Sequence, residues 1–411
     1  MNKEPEFHVE VSNGKQDGYA TAVMLDLPAS WSEFHDAMER ARVGDARDCR
    51  IEICKIQSIE LRAALDKHPR NLYELNLLAQ RLTMLQPEQK MPFAGLVTME
   101  VQKKKESVPL NRLINLTFNT ENCCVASHVK NDKELGRLFY DSEMFSEEAM
   151  ALLDTMEHGS RHMDELLAVL SRQHRETIGG VFVADGYVEN SGGDIQEVYV
   201  PGQMAYFTRS GAPVVLEVCK GFFNDPAYDN ERAVTLDLPA GEMAMQRAAE
   251  AVGAASLEEC AYRCADCLVP SAREMIDNAE DWQQANRFAQ KLHELERRTT
   301  PLLYKALLEA TECADLADAI SLMDTLADYE LLPEAATPGD VMRLSLQAKY
   351  PDLPDTLLLG EQAERLGTEM LSKGTAKLTE YGLLQRRDGG LLPELGHQYA
   401  GPAMTMEVSH G

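Results

Sequence analysis

No apolar run in the 411-residue chain approaches the roughly 18 residues that a membrane-spanning helix needs, and the opening MNKEPEF has no apolar core. No membrane partner is expected, and the chain reads as cytoplasmic. Positive charge is scarce: 40 Lys and Arg stand against 67 Asp and Glu, a formal net charge of −27 at pH 7. Such an excess of carboxylates repels phosphates, so direct binding to nucleic acid is not expected. Nine scattered cysteines, an odd number, do not compose a disulfide framework and suit a reducing compartment. Aromatic residues amount to 6%, while methionines number 19 and read mainly as core filler. The sequence contains no P-loop, no G-x-G-x-x-G and no G-x-S-x-G. His158 and His162 stand four apart, but Gly159 intervenes and no glutamate follows His158 as in H-E-x-x-H. No residue is therefore assigned to catalysis, and no cofactor or metal is expected.

What is present is the composition of a globular chain, 44% hydrophobic and 26% charged, long enough for two or three domains. Its clearest feature is a repeat. AVMLDLPA at 22–29 returns as AVTLDLPA at 233–240, seven letters of eight at an offset of 211. NLLAQRL from Asn76 to Leu82 aligns with NRFAQKL from Asn286 to Leu292 at an offset of 210. Before each LDLPA lies a β-rich stretch broken by turn residues: Asn13-Gly14 and Asp17-Gly18 in the first copy, Asn224-Asp225-Pro226 in the second. Leu25, Leu27, Leu236 and Leu238 alternate with Asp26 and Asp237, so the leucines should face a core and the aspartates solvent. Pro28 and Pro239 then end the strand, and a helical pattern follows each.

The reading is an α+β protein. Two repeated modules, each a β-hairpin plus helices, occupy 7–108 and 213–332. A mainly helical insert at 109–212 joins them, with a hairpin at Asp185-Gly186 and a Gly-, Ser- and Pro-rich connector over 190–212. A helical C-terminal segment spans 338–395, and the tail beyond it is expected to be disordered. Charge is uneven along these segments: net −2 over 1–108, −8 over 109–212, −13 over 213–330 and −4 over 331–411. The first copy even ends on Lys103-Lys104-Lys105.

Several short pieces, taken in order, look familiar. They are Leu72-Tyr73-Glu74-Leu75-Asn76, Val218-Cys219-Lys220-Gly221-Phe222-Phe223-Asn224, Asp266-Cys267-Leu268-Val269-Pro270 and Asn286-Arg287. This order resembles the ArdA-type antirestriction proteins of conjugative and phage-like elements, across the two modules and about half of the chain. The resemblance implies an elongated, acidic, non-catalytic protein. It would mimic the charge pattern of B-form DNA and occupy the DNA groove of a type I restriction-modification enzyme or another DNA-binding host protein. It would act without touching nucleic acid itself, and self-association as a homodimer is compatible with it.

Carboxylates four apart on a helix stand about 6 Å apart along the axis, close to two phosphate steps of about 3.4 Å on one DNA strand. The second copy supplies such spacings. Glu274, Asp277 and Asp281 follow steps of three and four, with Glu280 beside the last. Glu309, Glu312, Asp315 and Asp318 recur every three residues, and Asp324 and Asp328 are four apart. Leu303, Leu307, Ala310, Ala317, Ile320 and Met323 are expected on the opposite, buried side. These ten carboxylates are the candidate partner-binding residues. Glu33, Asp36 and Glu39 in the near-neutral first copy are the contrasting set, expected to matter less.

Two alternatives stand beside this reading. Cys260, Cys264 and Cys267 have the C-x3-C-x2-C spacing with which radical SAM enzymes hold a four-iron cluster, so a metal or iron–sulfur enzyme is one. Against it, Asp266 precedes the last cysteine where an aromatic is usual, no glycine-rich run follows, and zinc would lack a fourth ligand nearby. The repeat places Cys260 on Cys49, and Cys264–Cys267 on Ile53–Ile56, as small buried hydrophobes. The other alternative is an adaptor of a mobile element that keeps the fold without antirestriction activity.

Overall fold

The computed structural model describes residues 4–14, 18–103, 107–203, 205–207, 211–223, 232–352 and 360–395. Asp17, Lys104, Lys105, the Asn224-Asp225-Pro226 turn and the tail beyond 395 lie outside the described residues.

The first half runs β1 (Phe7–Ser12), β2 (Val23–Leu27), α1 (Trp31–Arg40), β3 (Arg50–Ile56), α2 (Ile59–Ala64), α3 (Leu72–Met84), α4 (Pro87–Lys103) and α5 (Leu110–Leu116). It continues with β4 (Cys123–Ser127), α6 (Asp132–Asp141), α7 (Glu147–Asp154), α8 (Arg161–Ile178), β5 (Val181–Val183) and β6 (Gly186–Asn190). The second half runs β7 (Val214–Lys220), β8 (Val234–Leu238), α9 (Glu242–Ala251), β9 (Cys260–Cys267), α10 (Arg273–Asp277), α11 (Trp282–Glu296), α12 (Leu302–Thr311) and α13 (Leu316–Leu322). It ends with β10 (Tyr329–Leu332), α14 (Pro338–Lys349), α15 (Glu361–Leu371), β11 (Ala376–Thr379) and β12 (Gly382–Arg386). Apart from α7, the two orders are the same.

Four antiparallel three-stranded sheets carry this order, β2-β1-β3 and β4-β6-β5 in the first half, β8-β7-β9 and β10-β12-β11 in the second. Register agrees as well as order. Phe7 opposes Leu27 and Ile56, and Val214 opposes Leu238 and Cys267. Both central strands break register one residue further on, between His8 and Val9 and between Val215 and Leu216. The repeat therefore extends past the copied letters. The insert and the C-terminal segment are themselves counterparts, each a strand, a helix pair and a returning hairpin.

The LDLPA text is explained by packing. Leu25, Leu27, Leu236 and Leu238 are buried, while Asp26 and Asp237 are exposed. Each fully buried leucine stabilises by roughly 1.5–3 kcal/mol relative to exposure. The proline of each copy follows a cis peptide bond. The alanine after it is held on both backbone groups by one asparagine. Ala29 N–H donates to Asn76 Oδ1 at 2.8 Å and its carbonyl accepts from Nδ2 at 3.2 Å. Ala240 and Asn286 repeat this at 2.8 and 3.0 Å. The 190–212 connector is tied down in the same way: Asn115 pairs with the backbone of Tyr199, and Asn119 with that of Gln196.

Two segments differ from their sequence reading. Residues 109–178 are helical as expected except that Cys123–Ser127 form β4, and residues 341–390 end in the β11–β12 hairpin rather than in helix. β4 pairs with Gly186–Asn190, far along the chain, so local periodicity carried no sign of it, whereas β11 and β12 pair locally but around Glu380-Tyr381, which is no turn dipeptide. The hairpin at Asp185-Gly186 is where the dipeptide put it. No helix among the described residues is long and apolar enough to cross a membrane.

Candidate partner-binding surface

The ten candidate carboxylates lie on the second half, and local structure uses six of them. Asp281 caps α11 by accepting from Gln284 N at 2.7 Å, and Asp315 caps α13 by accepting from Ala317 N and Asp318 N. Asp277 accepts from Cys264 N at 2.5 Å. Glu309 is half-buried and accepts from Glu380 N at 3.0 Å. Burial raises its pKa above the ordinary glutamate value. Glu312 pairs with Lys377 at 2.7 Å and Asp324 with Lys291 at 2.5 Å. Glu274, Glu280, Asp318 and Asp328 are exposed, and their side chains make no hydrogen bond or ion pair among the described residues.

The regular ridge does not survive as read. Glu309 is on α12 and Asp318 on α13, and the chain turns between them at Glu312, which has a left-handed φ of 53°. Asp324 and Asp328 sit on a 3-10 helix, Met323–Asp328, whose rise of about 2.0 Å per residue spaces them more widely than an α-helix would. On the inner side Leu307 and Ala310 are buried and Leu303, Ile320 and Met323 half-buried, but Ala317 is exposed.

The contrasting set needs a larger correction. Glu33, Asp36 and Glu39 are not bystanders, because α1 docks into the second half. Lys305 Nζ, 3% exposed, lies 2.7 Å from Asp36 Oδ1 and 2.7 Å from Glu39 Oε2. Tyr381 Oη donates to Asp36 Oδ1 at 2.8 Å. Burial, then the Asp36 charge, pushes the Tyr381 pKa up, so the hydroxyl stays a donor. Arg273 pairs with Glu33 and Arg40 with Glu380. Ser32 Oγ donates to Asp266 Oδ2 at 3.0 Å, and Arg42 reaches the Ala335 carbonyl. Sequence reasoning missed this network because its partners stand 234 to 345 residues apart. Lys305, a lone cation inside the apolar run LLYKALL, was the one local sign.

All nine cysteines are free. Cys264 and Cys267 are buried in the second core beside Leu216 and Leu238, and Cys260 is half-buried. The Cys264 thiol is pushed up by its hydrogen bond to Cys267 and by burial, and Cys260 by burial. Both shifts oppose the thiolate that a metal needs. Among the described residues no group of three or more His, Cys, Asp or Glu could hold a metal ion. Comparison with family models, with curated proteins and with solved structures finds no match for the chain.

Proposed function

We propose that the protein is a non-catalytic antirestriction protein of ArdA type. It blocks a type I restriction-modification enzyme, or a related DNA-binding defence, by presenting carboxylates where DNA phosphates would lie. The observation that carries this reading is electrostatic. The second module, residues 213–330, holds −13 of a net charge of −27, and Glu274, Glu280, Asp318 and Asp328 project from it without partners of their own. A basic DNA groove recognises such a surface by the same long-range attraction that draws phosphates in.

The test uses the whole chain with a purified type I enzyme and its DNA. The protein should compete with DNA for the enzyme, and competition should weaken as salt rises. Changing Glu274, Glu280, Asp318 and Asp328 together to Gln or Asn should weaken inhibition by at least about tenfold, since each removes a charge facing the groove. Neutralising Glu4, Asp48 and Glu88, exposed acids of the first half, should matter less. Full inhibition by the first variant, or a parent that never competes with DNA, would sink the reading.

A second reading comes from topology. In the β4–α6–α8–β5–β6 unit a strand and a helix pair precede a returning hairpin, the order found in winged helix-turn-helix modules that lay a helix on DNA. Charge speaks against it, because four cations of its helix pair are already engaged. Arg172 and Arg175 pair with Asp132, and Lys133 and Arg137 with Asp164. Tight, salt-sensitive binding of duplex DNA by the protein alone would favour this second reading.

A further inference from the structure

The contact between the halves is one-sided. Helix α1 of the first half docks over a groove on the second, walled by Pro270–Arg273, Lys305 and the hairpin turn at Glu380-Tyr381. The shared register shows where the same groove lies on the first half. Ile56 and Cys267 oppose equivalent residues of the central strands, so at the same offset Arg62 matches Arg273 and Glu60 matches Ser271. The hairpin glycines Gly186 and Gly382 match, so Asp185 takes the place of Tyr381. Phe93–Leu96 aligns with Tyr304–Leu307, which puts Ala94 at the place of Lys305. There the structure has a cavity of about 260 Å³, lined among others by Ser58, Glu60, Lys90, Met91, Ala94 and Asp185. No described helix lies over it as α1 lies over its counterpart, where a cavity of about 470 Å³ remains beside Asp36, Arg40 and Lys305.

The helix that matches α1 is α9, and it is equally unmatched. Counting from the LDLPA frame, Met243 stands at the place of Ser32, Arg247 at that of Asp36 and Glu250 at that of Glu39. All three are exposed, Met243 at 72%, and Arg247 makes no ion pair among the described residues. The charged places differ between the copies, since Asp36 gives way to Arg247 and Glu33 and Arg40 to Ala244 and Ala251 while Glu250 keeps the sign of Glu39, yet helix and groove remain opposite in charge where they would meet. In the docked groove an anion on the helix, Asp36, meets a cation, Lys305. In the empty one a cation on the helix, Arg247, would face Asp185 and Glu60, and Glu250 would face Lys90. Opposite charges at both places favour this pairing of helix and groove.

We propose that α9 of one copy seats in the vacant groove on the first half of a second copy, repeating between chains the contact made within each. Helix and groove are different surfaces, so the contact is heterologous. It joins copies head to tail, closing into a ring if the rotation allows and running on as a filament if it does not.

The experiment is sedimentation velocity of the full chain across a range of concentrations at low and high salt. The parent should associate with rising concentration, less so at high salt. Arg247→Glu and Asp185→Arg should each weaken association by at least about tenfold, because each sets like charges face to face. Ala94→Trp should block the groove sterically while leaving α9 intact. An equal mixture of the Arg247→Glu and Ala94→Trp chains should stop at a dimer, one intact helix in one intact groove. The melting curve of each variant, expected to match the parent, separates lost contact from lost fold; if Ala94→Trp unfolds, the two charge variants decide. A parent that stays monomeric at every concentration, or association that survives Arg247→Glu and Asp185→Arg, would overturn the proposal.

Discussion

At the scale of single residues, the repeated letters are mostly structural. Asn76, which the sequence offered as a repeated letter and as part of an E-L-N piece, is fully buried and satisfies both backbone groups of Ala29. Replacing it by Ala leaves a buried donor and acceptor unpaired, so Asn76→Ala should cost about 1–3 kcal/mol in denaturant unfolding. Asn286→Ala should cost less, because Asn286 and Ala240 are only half-buried and water can substitute. Equal losses would mean that burial is not what sets the price. Glu309 gives a pH-dependent case. Its folded pKa is raised by burial, so the ionised form weighs against the fold above that pKa, and the penalty vanishes once the carboxyl is protonated in both states. Glu309→Gln keeps an acceptor for the Glu380 N–H. It should melt above the parent at neutral pH, and the gap should close as pH falls below the ordinary value of about 4.3. A gap that widens on acidification would reverse the sign of this argument.

At the scale of elements, legibility followed locality. The strands with LDLP and the Asp185-Gly186 hairpin could be read because alternation and turn chemistry are local signals. β4 and the β11–β12 hairpin could not, since neither Cys123–Ser127 nor Ala376–Arg386 alternates cleanly, the pairing of β4 is set far away, and the local β11–β12 turn at Glu380-Tyr381 carries no turn dipeptide. The kinship of the insert with the C-terminal segment was invisible because their letters no longer match. What persists is close packing. A Cβ on Gly186 would lie 2.3 Å from the Ala126 carbonyl oxygen, and one on Gly382 would lie 2.5 Å from that of Leu332. The helix pairs use glycine too, on opposite members. Gly136 of α6 meets the Leu167 backbone, and Gly367 of α15 meets that of Pro338, where a Cβ would fall 1.7 Å from the carbonyl oxygen. On an open helix Gly→Ala gains about 0.5–1 kcal/mol, but forcing a methyl against backbone costs typically 1–3 kcal/mol. Gly367→Ala should therefore lower the melting temperature despite its better helix propensity. A rise would show that α14 and α15 separate freely enough to admit the methyl.

At the scale of the whole molecule, charge sets two tendencies of opposite sign. A net charge of −27 repels itself, and that repulsion favours expansion of the chain. Raising ionic strength from about 0.01 to 0.15 M shortens the screening length from about 30 to 8 Å. The exposed ion pairs lost to screening are worth at most about 1 kcal/mol each, and the Lys305–Asp36 pair is too buried to be screened much. The melting temperature should therefore rise with salt over this range. Capture by a basic groove runs the other way, since the attraction that recognises the carboxylates is screened by the same ions. The two curves, melting temperature and inhibition against salt, should cross in direction, fold stability climbing while inhibition falls. Were both to fall together, lost inhibition would reflect unfolding rather than screened recognition, and the electrostatic account of this surface would fail.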